Sequence, residues 1–168
     1  MPIRPILRHP DPLLRRKAEP VSDFGPGLAA LATDLTETMI EAGGVGITAP
    51  HVGVSSRLVV LKLGDGPVEV FVNPEITETS DETVTRDEGS VSMPGVIDAV
   101  TRPARIRLTW ADLTGAPHEG AAEGWRATCL LHEIDQLDGI FWLQRLSRLR
   151  RDKVVRRFEK IRRLGGEA

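Results

Sequence analysis

"LLHEIDQLDG" (residues 130–139) is the stretch whose reading decides the fold. No proline or glycine interrupts the chain from Trp125 to Asp138, so this segment can run as one buried helix. His-Glu-x-x-His on a helix sets two imidazoles one turn apart on one face, enough to hold a metal ion. Here His132 and Glu133 are in place, and Gln136 stands where the second imidazole would be. A neutral amide is a poor ligand in that position. The helix therefore reads as that of a metal hydrolase, as the remnant of one, or as an apolar helix holding a satisfied His–Glu core pair.

Working outward, Pro26 follows Asp23, a plausible cap, and Leu28, Leu31, Leu35 and Met39 recur at helical spacing before Gly43 and Gly44. This predicts a first helix over about 26–42. "RLVVLKL" (57–63) and "VEVFVN" (68–73) are β-rich runs separated by turn residues. "EITETSDETVTRDEG" (75–89) alternates like a strand pair, "ARIRLTW" (104–110) alternates clearly, and "HEGAAEGW" (118–125) suits an edge strand. A basic helix closes the chain. Strands grouped between helices predict an α+β fold with mainly antiparallel sheet around the motif-bearing helix, and a single domain over 1–168. Trp125 and Trp142 flank that helix as packing residues, and Met93 and Pro94 shape a loop after Ser90.

Hydrophobic residues make up 40% of the chain and charged ones 27%, an ordinary globular balance. The lone Cys129 excludes an internal disulfide and a Cys-rich zinc site, and it fits a small core residue in a reducing compartment. No apolar run approaches the length of a membrane span, and the first twenty residues have no signal-peptide core. A cytoplasmic protein is expected, with no membrane partner. The net charge of −2 is uneven: residues 148–163 carry +7, with nine basic and two acidic side chains. Such a helix can touch a ribosome, but Val154, Phe158 and Ile161 at helical spacing fit a solvated amphipathic helix, and no motif for specific nucleic-acid binding accompanies the charge.

Two further polar clusters precede the His132 helix. "GGVGITAPHVG" (43–53) is Gly-rich, as suits a backbone that comes close to a ligand. "DEGSVSMPG" (87–95) sets Ser90 after a carboxylate and a glycine. Taken in this order, the three clusters resemble the peptide deformylase family, which removes the formyl group from nascent N-terminal methionine. That family carries G-x-G-x-A-A-x-Q, then E-G-C-x-S, then H-E-x-x-H on a helix. The likeness extends to "HPDPLLRRKAEPV" near the start, "VNPEI" in the middle and "DGIFWLQRLSRLRRDKV" near the end.

The resemblance implies a divalent metal held by the motif cysteine and both histidines, with the Glu as general base and acid. In this chain those ligand positions hold Ser90, His132 and Gln136. His51 stands at the Gln that helps stabilise the oxyanion, and Thr48 at the first Ala. A serine hydroxyl ionises far above neutral pH, so one imidazole remains where three good ligands are wanted. No cofactor is therefore expected. The alternative is a weakly bound iron, nickel or zinc ion held by His132, His51 and Glu133.

Without the ion, Ser90, His132 and Gln136 are expected within hydrogen-bond reach of one another. The resemblance then implies a hydrolase or acyl-transfer enzyme acting on the amide bond of an N-formyl or N-acyl compound, a small molecule or a peptide N-terminus. Its catalytic candidates are Glu133, Ser90, His132 and His51; its substrate-binding candidates are Gly44, Val45, Gly46, Ile47, Gly89, Val91 and Gln136, with Leu130 and Ile134 as possible apolar lining. The competing readings are a non-catalytic module that binds an acyl group and a metal-dependent deformylase with a rearranged site. Arg102 stands near an arginine typical of the family.

Overall fold

The computed structural model describes residues 3–165. Its elements are α1 (Pro26–Glu41), β1 (Gly46–Thr48), β2 (Leu58–Leu61), β3 (Glu69–Thr79), β4 (Thr83–Ser90), β5 (Met93–Pro103), β6 (Arg105–Ala111), β7 (Pro117–Glu123), α2 (Gly124–Leu137) and α3 (Arg148–Leu164). All strand pairings are antiparallel. Five strands form one sheet in the order β1-β2-β3-β6-β7, with the expected 118–125 segment at its edge as β7, and β4-β5 form a separate two-stranded sheet.

Strand β2 shows how the layers arise. Side chains alternate across a strand, so Leu58 and Val60 pack with Leu35 and Met39 of α1, while Val59 and Leu61 pack with Leu130 and Ile134 of α2. One helix thus covers each face, and all four residues of this short run are buried. The motif helix lies against Phe71, Ile106 and Leu108 as well. A third cluster joins Met93, Val96 and Val100 of β5 to Val154 and Phe158 of α3 and to Trp142. Burying a side chain such as Phe158 stabilises by about 1.5–3 kcal/mol. Helix α3 is amphipathic as expected, although Ile161 at the end of its apolar stripe is 39% exposed.

Several details differ from the sequence reading. Residues 75–89 are not one hairpin: the end of β3 pairs with β6, whereas β4 pairs with β5. Met93 and Pro94 open β5 rather than shaping a loop, and Met93 is fully buried. Asp23 does not cap α1, whose N-cap is Gly25 with no side-chain bond. Trp142 packs in the core, but Trp125 is 44% exposed. Among the described residues no helix is long and apolar enough to cross a membrane.

Candidate active site

The segment before β1, the β4–β5 hairpin and one face of α2 enclose a cavity of about 540 Å³. Gly44, Val45, Gly46, His51, Gly89, Ser90, Val91, His132 and Glu133 all line it, and Trp125 stands at its edge. Ile47, Leu130 and Ile134 do not: Ile47 points into the α1 core and the other two into the α2 core. Gln136 does not line it either. Its Nε2 donates to the Leu14 carbonyl at 2.6 Å and the residue is buried away from the cleft.

The mutual contact expected of Ser90, His132 and Gln136 is corrected by these bonds. Ser90 Oγ accepts from the Ser92 amide at 3.0 Å. His132 Nδ1–H donates to Glu88 Oε1 at 2.8 Å. Each of the three is thus tied to a different neighbour, Gln136 to the 3-10 turn Pro12–Arg15 that carries Leu14.

Glu88 is the residue that sequence reasoning passed over, although its position in "DEGSVSMPG" was visible. It is 4% exposed and takes Arg102 Nε and a second guanidinium nitrogen at 2.6 and 2.9 Å. Arg102 donates further to Asp135 at 2.8 Å, and Arg145 holds the same Asp135 with two bonds. Burial raises the Glu88 pKa, but the bonds from His132 and Arg102 outweigh it and bring it down to about 2. For His132, burial acts downward, yet the carboxylates of Glu133 and Glu88 win and its pKa is raised. Burial raises Glu133, opposed by His132 and assisted by Glu88. Its Oε1 is buried without a hydrogen-bond partner.

Gly46 gives Glu133 its room, because a Cβ there would stand 2.5 Å from Glu133 Oε2. His51 sits in a 3-10 turn, Ala49–Val52, opened by Thr48. Its Nδ1 accepts from the Thr48 amide at 2.9 Å and lies 2.9 Å from Thr48 Oγ1. Burial, and then the charge of His132, lower its pKa to about 3. Cys129 is buried, and burial pushes its thiol up to about 12, so it is inert at neutral pH.

The donors at hand do not fit the ligand set that the resemblance implies. Ser90 offers a neutral hydroxyl, and Gln136 is turned to Leu14. Neutral His51 carries its proton on Nε2, because Nδ1 accepts the Thr48 amide. Among the described residues no group of three or more His, Cys, Asp or Glu is placed to hold a metal ion.

Comparison with known proteins identifies the scaffold. The family model described as polypeptide deformylase matches residues 3–152. A peptide deformylase-like protein of Brucella melitensis biotype 1 is 54% identical over 165 residues, covering 97% of this chain and 100% of that protein. The crystal structure of a peptide deformylase from Legionella pneumophila superposes with a TM-score of 0.93 at 38% identity, covering 99% of both chains. A peptide deformylase of Ehrlichia chaffeensis, solved in complex with actinonin, gives a TM-score of 0.90 at 34% identity, covering 97% of this chain and 98% of that one. These matches correct the expectation of no cofactor, which rested on Ser90 and Gln136 alone: the matched family is metal-dependent, taking iron, nickel or zinc. With its model matched across residues 3–152 and a relative of such identity spanned from end to end, the chain belongs to the polypeptide deformylase family.

Proposed function

We propose that this chain hydrolyses the carbon–nitrogen bond of an N-formyl or other short N-acyl amine, presented by a peptide N-terminus or a small molecule, with Glu133 as the acid–base group. The observation that carries this reading is the Glu133 carboxyl group itself. It lines the cleft, keeps one oxygen without a partner, and is accommodated by the missing side chain of Gly46. A buried carboxylate without partners is costly, so its retention beside His132 favours a chemical task over packing.

Burial raises the Glu133 pKa, the direction in which a general base is tuned. Glu133 takes a proton from water as the water oxygen bonds to the acyl carbon. The C–N bond then breaks, and Glu133 returns the proton to the leaving nitrogen. His132, oriented through Nδ1 by Glu88, opposes the upward pull of burial on Glu133 and so favours its anionic form. The Ser90 hydroxyl, whose oxygen already accepts from Ser92, orients water or substrate with its own proton. The lone buried Cys129 suits a reducing cytoplasm.

A panel of N-formyl and N-acyl amines tests the reading, with elemental analysis identifying any ion in the same preparation. Glu133→Gln is expected to lower kcat on the order of 10²- to 10⁴-fold with little change in substrate affinity. Ser90→Ala should slow turnover without abolishing it; complete loss would make Ser90 the nucleophile. Full activity in Glu133→Gln would remove the acid–base role. Binding without turnover across the panel would leave the cleft as a receptor for acyl groups.

A further inference from the structure

Arg86 of β4 stands beside the cleft with most of its donors uncommitted. Along β4 the side chains of Arg86 and Glu88 share one face, because the pairing with β5 is regular from Arg86 opposite Val100 to Glu88 opposite Asp98. Each meets α2: Glu88 Oε1 accepts from His132, and Arg86 Nη1 donates to Thr128 Oγ1 at 3.0 Å. Thr128 lies one helical turn before His132, so the guanidinium is held about 6 Å from the imidazole along the same wall. Thr128 and Cys129 both line the cleft, and the charge of Arg86 is felt at the Cys129 sulfur.

Arg57, Arg102, Arg126, Arg145 and Arg150 each hold a carboxylate. Half-buried Arg86 holds none among the described residues, and Thr128 is its one side-chain hydrogen-bond partner there. A guanidinium carries five N–H donors, so most of its capacity is open, and a partly desolvated cation without an anion is costly. Glu88 cannot supply that anion, because Arg102 and His132 already claim it. Asp87 is exposed, and alternation sends its side chain to the opposite face of β4. Arg8, the other arginine at the cleft, is exposed and donates to the Val91 carbonyl. The Thr128 hydroxyl accepts from Arg86 and keeps its own proton to give. Two donors suited to a carboxylate therefore meet at one wall.

We infer that Arg86 and Thr128 form a subsite for an anionic group, and that the compound hydrolysed is an N-acyl amine whose first side chain is acidic. The inference rests on the hydrolase reading above and names its substrate class. With bonds of about 1.3–1.5 Å, an α-carboxylate stays within about 4 Å of the acyl carbon, whereas an aspartyl or glutamyl side chain reaches further along the wall. A carboxylate there would accept from the guanidinium and from the Thr128 hydroxyl, leaving the amide near Glu133.

Three probes test it on the full-length protein: N-formyl-L-glutamate α-amide, its neutral isostere N-formyl-L-glutamine α-amide, and free N-formyl-L-glutamine, whose only carboxylate is on the main chain. The kcat/KM of the first should exceed that of the second on the order of 10- to 100-fold, carried by KM, with the third close to the second. Arg86→Gln should bring the first two to parity, and Arg86→Lys should keep part of the preference. Equal kcat/KM for the first two, an equal preference for the third, or a preference that survives Arg86→Gln overturns the inference while sparing the hydrolase reading.

Calorimetric titration of the same compounds separates the two readings. Tighter binding of the acidic compound, lost in Arg86→Gln, without turnover of these or of the wider N-acyl panel supports the anion subsite and overturns the hydrolase reading. Neither binding nor turnover of the acidic compound overturns the subsite.

Discussion

His132 donates to Glu88 at 2.8 Å, and the same carboxylate closes a two-bond fork with Arg102. A histidine on α2 is thereby oriented by an acid on β4, and that acid is balanced by a buried guanidinium. Glu88→Gln would keep the shape but remove the charge. Breaking one partner of a buried ion pair costs about 3–5 kcal/mol. The expected outcome is a loss of that size in urea unfolding, with a fall in the His132 pKa followed by NMR. Unchanged values of both would show that Glu88 only fills space.

Stability should fall on acidification in a way that His51 helps to set. In the unfolded chain this imidazole takes up a proton near 6.5, whereas burial and the nearby His132 hold it neutral until about 3 in the fold. Its folded pKa is depressed, so its contribution is present above 6.5 and is lost as pH falls towards 3. Between those limits the unfolded state binds one more proton, a slope of about 1.4 kcal/mol per pH unit from this residue. His51→Gln should flatten the stability profile across that window by about that amount. Parallel profiles for the two proteins would show that His51 does not titrate this way.

Gly46→Ala tests the space that Glu133 occupies. The added methyl carbon would come within 2.5 Å of Oε2, so the carboxyl group must move. Displacing a catalytic group by about an ångström can cost about 100-fold in rate. A drop of that order in kcat is expected, with the far-ultraviolet circular dichroism spectrum unchanged. Retained activity would mean that the position of Glu133 is not critical.

Gly139→Ala should act on stability alone. Gly139 ends α2 at φ 78°, and a Cβ there would meet the Arg15 carbonyl oxygen at 2.7 Å. The amides of Gly139 and Ile140 close the helix on the carbonyls of Gln136 and Asp135, so this turn cannot easily relax. A loss on the order of 1–3 kcal/mol in thermal or urea unfolding is expected. An unfolding midpoint equal to that of the unsubstituted protein would contradict the close approach.

The helices and the central sheet were legible because their apolar periods are long and uninterrupted: Leu28, Leu35 and Met39 mark α1, and the run from Leu58 to Leu61 marks a strand covered on both faces. Strand β5 was hidden by Pro94, Gly95 and Pro103, residues that ordinarily punctuate turns, although it pairs with β4 from Ser90 opposite Met93 out to Thr83 opposite Pro103. His132 and Glu133 could be read from their place on one helix. Gln136 was misplaced because helical spacing gives the Cα position but not the amide's partner, which turned out to be the carbonyl of Leu14. The part played by Glu88 needs Arg102 and His132 to arrive from two other elements.

Arg102 on β5 also joins Glu88 of β4 to Asp135 of α2, with bonds of 2.6 to 2.9 Å and 5% of its surface exposed. The hairpin that carries Ser90 and the helix that carries His132 therefore share one counterion. Parting them by local breathing would strand a guanidinium away from water, so their amides should exchange hydrogen as a single cooperative unit instead of fraying separately. Slow exchange along α2 then becomes a gauge of whether the cleft is assembled, readable in any variant before its substrate is known.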